Sequence, residues 1–162
     1  MAAVVSSRFD LKLQVIVFAL VAAAFTNVYI TQPVLPVLQQ EFGVSASRAS
    51  LTMSAVIFGM ALANLPFGAL ADIFPVRWLI LLGSLMVAGS GLVCAATHDL
   101  GRLVAARWVQ GLFIPSLTTC LAAYLAVNVP PERLNVVMGS YVSATVAGGL
   151  GGRLLGGYIH PP

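Results

Sequence analysis

The sequence predicts an all-α, polytopic membrane protein with five transmembrane helices, and three observations carry that prediction. Apolar residues fill 59% of the 162 positions and charged residues 8%, where soluble domains hold about 45–50% and 25%. Mean hydropathy is +0.97. The eight Lys and Arg and five Asp and Glu are spaced so that uncharged windows of about 20 residues lie between them. That is the helix length needed to cross roughly 30 Å of hydrocarbon at 1.5 Å per residue. A water-soluble domain is thereby excluded. The net charge of +3 forms no basic patch and gives no support to nucleic-acid binding; the partner that composition predicts is the lipid bilayer.

An N-terminal tail, 1–12, precedes the first span at about 13–38, which lies between Lys12 and Glu41. Ala22 and Ala24 imitate a signal-peptide cleavage site, but the uncharged run around them far exceeds an h-region of about 7–15 residues, so no cleavage is expected. The second span, about 49–71, follows Arg48, with Ser45 or Ser47 placed to cap it. The third, about 78–97, starts at the interfacial Trp78. The fourth, about 101–126, contains Arg107, and the fifth, about 135–158, contains Arg153; residues 159–162 form a truncated end. Short connections make successive spans antiparallel. A cytoplasmic N-terminus puts Arg8, Lys12, Arg77 and Arg133 inside against Arg48 and Arg102 outside, the sense the positive-inside rule favours.

Polar residues inside the spans are the candidate site. An arginine in hydrocarbon costs at least ~2.5 kcal/mol at a helix centre, so Arg107 and Arg153 need a partner, water or a substrate anion. In span one, Asn27 and Thr31 share a helix face, while Tyr29, Gln32 and Pro36 share another. Asn27 is the residue expected in a cavity. Cys94 and Cys120 lie in apolar runs without ligand spacing and read as small hydrophobes, and no metal site or cofactor is expected.

Four local patterns, in order along the chain, resemble the major facilitator superfamily, and within it the drug and small-molecule efflux branch. Pro33-Val34-Leu35-Pro36 is similar to the P-V-x-P of twelve-span efflux members. Gly68-Ala69-Leu70-Ala71-Asp72, followed by Arg77, is similar to the G-x-L-A-D-x-x-G-R-R/K loop; Ile73, Pro75 and Val76 depart from it, leaving Arg77 as the single cation. Arg107-Trp108-Val109-Gln110-Gly111 resembles R-x-x-Q-G. Gly139, Gly148, Gly152, Gly156 and Gly157 reproduce the antiporter spacing G-x8-G-x3-G-P-x2-G-G, with Arg153 in place of the proline.

The resemblance implies alternating-access transport, proton-coupled efflux by an antiporter of the plasma (inner) membrane, and no enzymatic activity. It implies proton coupling at Arg107, supported by Gln110, with Asn27, Gln32 and Arg153 as further polar contacts to substrate or proton. Gly68, Asp72 and Arg77 would form a conformational latch, with Asp72 in reach of Arg77 or Arg133. Gly111, Gly148, Gly152, Gly156 and Gly157 would let helices approach closely. The family folds as two six-helix halves, each of two inverted three-helix repeats. Five spans therefore correspond to most of the N-terminal half, and activity is expected to need the C-terminal half. Two other readings compete. An intramembrane enzyme lacks support, since neither HExxH nor GxSxG occurs. A small five-span structural or helper protein would leave Arg107 and Arg153 without a pathway.

Overall fold

The computed structural model describes residues 2–159, with side chains from Leu11 onward. Arg8, one of the cations expected inside, and residues 160–162 of the expected truncated end 159–162 fall outside the described side chains. Seven helices make up the described chain: α1 (Ala2–Tyr29), α2 (Leu35–Phe42), α3 (Ala46–Ile73), α4 (Val76–Ala96), α5 (Leu100–Leu117), α6 (Thr119–Asn128) and α7 (Pro131–Ile159). No strand occurs among the described residues. Helix satisfies every backbone N–H and C=O within the segment, which is what hydrocarbon demands.

Four helical stretches are long and apolar enough to cross a membrane: Leu11–Tyr29, Ala46–Ile73, Val76–Ala96 and Leu100–Asn128. The fifth predicted span is the helix α7, whose 29 residues suffice in length. Its glycines and Arg153 keep it below the hydropathy of the other four. The predicted tail is not separate from the first span, because nothing between Ala2 and Lys12 breaks a helix and α1 runs through it.

Two of the predicted spans are divided. Span one, expected as a single helix over 13–38, is broken at 30–34 into α1 and α2. Pro33 has no N–H and disfavours helical geometry at Gln32, so the chain turns instead, through Gln32 N–H to Tyr29 O at 3.1 Å and Val34 N–H to Thr31 O at 3.2 Å. Pro36 then sits in the first turn of α2, where its missing N–H costs nothing, and Gly43 closes that helix at φ +59°, a left-handed cap. Span four divides at Thr118, whose φ −111°, ψ −67° departs from regular helix although its N–H still reaches Ile114 O at 3.2 Å. Asp99 caps α5 by accepting the Arg102 N–H at 2.8 Å. Ser45 occupies the cap position of α3 as expected, but its side chain makes no capping bond.

The helices pack as two parallel pairs, α1 along α7 and α3 along α5, with α4 antiparallel to α5. Backbone proximity decides the first two seams. A Cβ on Gly152 would stand 2.6 Å from Thr26 O, and one on Gly59 would stand 2.7 Å from Trp108 O. Gly148 lies directly on the Ala22 backbone, Gly156 on Ile30 and Gly111 on Val56. Small residues let backbones meet this way where lipid supplies no hydrophobic drive between helices. The Leu100–Asn128 stretch is 56% buried against 17–22% for the other three, which makes α5–α6 the central rod of the bundle. Outward residues such as Leu65, Leu85, Leu92 and Leu154 remain exposed, as a lipid-facing surface requires.

Candidate functional site

The break after α1 creates the site. In an unbroken helix the N–H groups of Thr31 and Gln32 would return to the carbonyls of Asn27 and Val28. Here Gln32 bonds to Tyr29, and neither carbonyl receives a main-chain N–H among the described residues. The two oxygens thus face out of the C-terminal end of α1, where the helix dipole is negative. Arg107 of α5 fills that position.

Arg107 Nη1 donates to Asn27 O at 3.0 Å, to Asn27 Oδ1 at 3.2 Å and to Gln110 Oε1 at 2.6 Å, while Nη2 donates to Val28 O at 3.3 Å. Only 4% of the residue is exposed. Each charge-assisted hydrogen bond contributes roughly 1.5–3 kcal/mol, which offsets the burial of the guanidinium. Every one of these acceptors is neutral, and Arg107 Nε makes no hydrogen bond among the described residues. Gln110, one helical turn on, holds the arginine by its carbonyl and uses its amide to donate to Val87 O of α4 at 3.2 Å. Asn27, Arg107 and Gln110 therefore tie α1, α5 and α4 at one level. A cavity of about 370 Å³ adjoins them, walled also by Thr31, Val34, Cys94 and Leu103.

Arg153 lies at the same level of α1 but on another side. Its Nε donates to Gln32 Oε1 at 2.8 Å, and its guanidinium sits 4.9 Å from the centroid of Tyr29, a cation–π geometry. The side chain is exposed beside a cavity of about 310 Å³ bounded by Phe25, Tyr29, Gly149 and Arg153. Asn27 and Thr31 lie toward Arg107 and Tyr29 and Gln32 toward Arg153, whereas Pro36, expected with Tyr29 and Gln32, falls in α2 beyond the break. Among the described residues the two arginines share neither an acceptor nor a cavity. Rotation of each helix about its axis, set by the glycine seams, sends them apart.

At the opposite end of the bundle, Asp72 and Arg77 are both exposed, and no ion pair joins them among the described residues. Arg77 instead lies 5.3 Å from the Trp78 ring centroid. No helix comes close at Gly68, where the nearest neighbour of a Cβ would be Thr119 Cγ2 at 4.0 Å. Gly157 meets Pro33 Cβ at an ordinary 3.8 Å, and Gly139 meets nothing within 4 Å. Three contributors escaped the sequence reading. Gly59 forms the α3 side of the seam with Gly111, a position that its i, i+4 small neighbours Ala55 and Ala63 could have signalled. Cys94 lines the larger cavity, and the Val87 carbonyl anchors Gln110; no side-chain pattern announces either. No three His, Cys, Asp or Glu side chains converge among the described residues, so what this site offers is hydrogen bonds and one positive charge.

Residues 17–161 match the Major Facilitator Superfamily. The chain belongs to that family of transporters. It is 29% identical over 147 residues to an uncharacterized MFS-type transporter, YybF, of Bacillus subtilis, covering 89% of this chain and 36% of that protein. It is 26% identical to the inner membrane transport protein YnfM of Escherichia coli, covering 91% and 35%. A bicyclomycin resistance protein homolog of Haemophilus influenzae is 28% identical over 122 residues, covering 75% and 31%. The chain spans about a third of the length of these relatives.

Proposed function

We propose that this chain forms most of the N-terminal six-helix half of a transporter, rather than an enzyme, and that the whole protein moves a small molecule by alternating access in proton-coupled efflux. One observation carries the reading. A buried guanidinium held, among the described residues, by the neutral acceptors Asn27, Val28 and Gln110 borders a cavity at the junction of α1, α4 and α5. A charge so placed is costly unless a pathway uses it. The family match and the transporter names of the relatives support the class, and the bicyclomycin resistance homolog supports the efflux direction.

In this reading Arg107, with Gln110 and Asn27, responds to the charge of proton or substrate, and Gln32 with Arg153 supplies a second polar station. Gly111, Gly148, Gly152 and Gly156 keep α3–α5 and α1–α7 as rigid pairs that rock together against a C-terminal half, and Gly157 adds an ordinary contact to Pro33. Gly68, Asp72 and Arg77 form a latch closed across the two halves; both charges stand exposed and unpaired with each other, available for that contact. The protein sits in the plasma (inner) membrane with its N-terminus in the cytoplasm.

The test is efflux of a panel of fluorescent dyes from cells expressing the full-length protein, with and without a protonophore. Gradient-dependent extrusion of at least one dye is expected. Extrusion indifferent to the protonophore refutes proton coupling, and no difference from cells lacking the protein refutes efflux.

A further inference from the structure

We propose that the cavity beside Arg107 binds a small organic carboxylate with an apolar body. The bonds already made leave two donors over. Nη1 carries two hydrogens and serves three acceptors, while Nη2 carries two and among the described residues serves only Val28 O, so the second Nη2 hydrogen is the one left for a ligand; Nε–H also lacks a partner among the described residues but is closed off from the open space. A buried polar hydrogen without an acceptor calls for a partner, and a carboxylate oxygen is the acceptor that a guanidinium bonds most strongly. The charge points the same way. The acidic residues whose side chains are described, Glu41, Asp72, Asp99 and Glu132, all lie in loops or helix-end turns and none pairs with Arg107, so among the described residues its positive charge is uncompensated.

Size and lining complete the match. About 370 Å³ falls in the range of small-molecule sites, and Ile30, Val34, Leu103 and Ile159 give apolar walls around the polar group formed by Asn27, Thr31 and Arg107. An organic cation entering this low-dielectric space would meet Arg107 head on, and a neutral molecule would leave its charge unanswered.

The inference rests on the transporter reading only in treating the bound anion as cargo; the binding itself is separable. Cys94 lines the same cavity and is a built-in reporter, whereas Cys120 is buried elsewhere with its thiol bonded to Phe67 O at 3.3 Å. The experiment is alkylation of the purified full-length protein by N-ethylmaleimide, read at each cysteine by peptide mass spectrometry. Naphthoate is expected to slow the Cys94 reaction by about fivefold or more while leaving Cys120 unchanged, with naphthamide and naphthylmethylammonium giving little protection. Arg107→Gln should remove the protection, and the ligand series on the unaltered protein keeps the test decisive if that variant does not fold. Equal protection by the amide or the ammonium compound, no protection by naphthoate, or a Cys94 that never reacts would each overturn the proposal. Protection without efflux would uphold the anion site and sink the transporter reading; efflux without protection would do the reverse.

Discussion

Arg107 donates a hydrogen bond to the backbone carbonyl of Asn27, 3.0 Å away and 80 positions apart in the chain. That carbonyl is available because Pro33 ends the helix it belongs to. A proline in span one and an arginine in span four are therefore one device, and the consequences can be measured.

Pro33→Ala should let α1 run on into α2, so that Thr31 and Gln32 N–H reclaim the carbonyls of Asn27 and Val28. Arg107 then loses two of its acceptors, at roughly 1.5–3 kcal/mol each. A clearly lowered melting temperature of the full-length protein in detergent is expected; an unchanged one would show that the break does not hold the arginine.

The glycine seams make an unequal prediction from equal substitutions. Gly152→Ala places a methyl 2.6 Å from Thr26 O and Gly59→Ala one 2.7 Å from Trp108 O, whereas Gly139→Ala meets nothing within 4 Å. The first two should destabilise by about 1–3 kcal/mol through overpacking, and the third should be close to neutral. Thermal melts of the three variants side by side check this ordering.

Much of the fold was legible because membrane crossing is a constraint on length and hydropathy, both of which a sequence displays directly. The polar faces of span one were legible for the same kind of reason, since helical periodicity alone groups Asn27 with Thr31 and Tyr29 with Gln32. The break at 30–34 was hidden by the tolerance of membrane helices for proline, which leaves Pro33 and Pro36 compatible with either a kink or a stop. Helix rotation was hidden more deeply. Whether Arg107 and Arg153 meet depends on which glycines contact which backbone, and only the packed structure shows Gly152 on Thr26 and Gly111 on Val56.

Arg153 is exposed and held by one side-chain hydrogen bond and one ring, so Arg153→Ala should change stability by no more than about 0.5 kcal/mol. Efflux should nevertheless fall, because the second polar station loses its charge. Arg153→Lys should recover little, since an ammonium cannot both stack on Tyr29 and bond Gln32 as the planar group does. Efflux unchanged in Arg153→Ala would leave this arginine as a surface residue.

The orientation of the chain is checked at the loop between α3 and α4. With an N-terminus in the cytoplasm, Phe74→Cys should be alkylated by a membrane-impermeant maleimide only after cells are opened. Labelling in intact cells would place Asp72 and Arg77 outside and remove the proposed latch from the cytoplasmic side.

The most direct test of the Arg107 site is the rate of proton-driven efflux by full-length Arg107→Ala, normalised to the amount inserted in the membrane. The geometry predicts normal insertion with a loss of about a hundredfold or more, and little recovery in Arg107→Lys, because a point charge cannot bridge Asn27, Val28 and Gln110 at once. Efflux at the wild-type rate in Arg107→Ala would contradict the account.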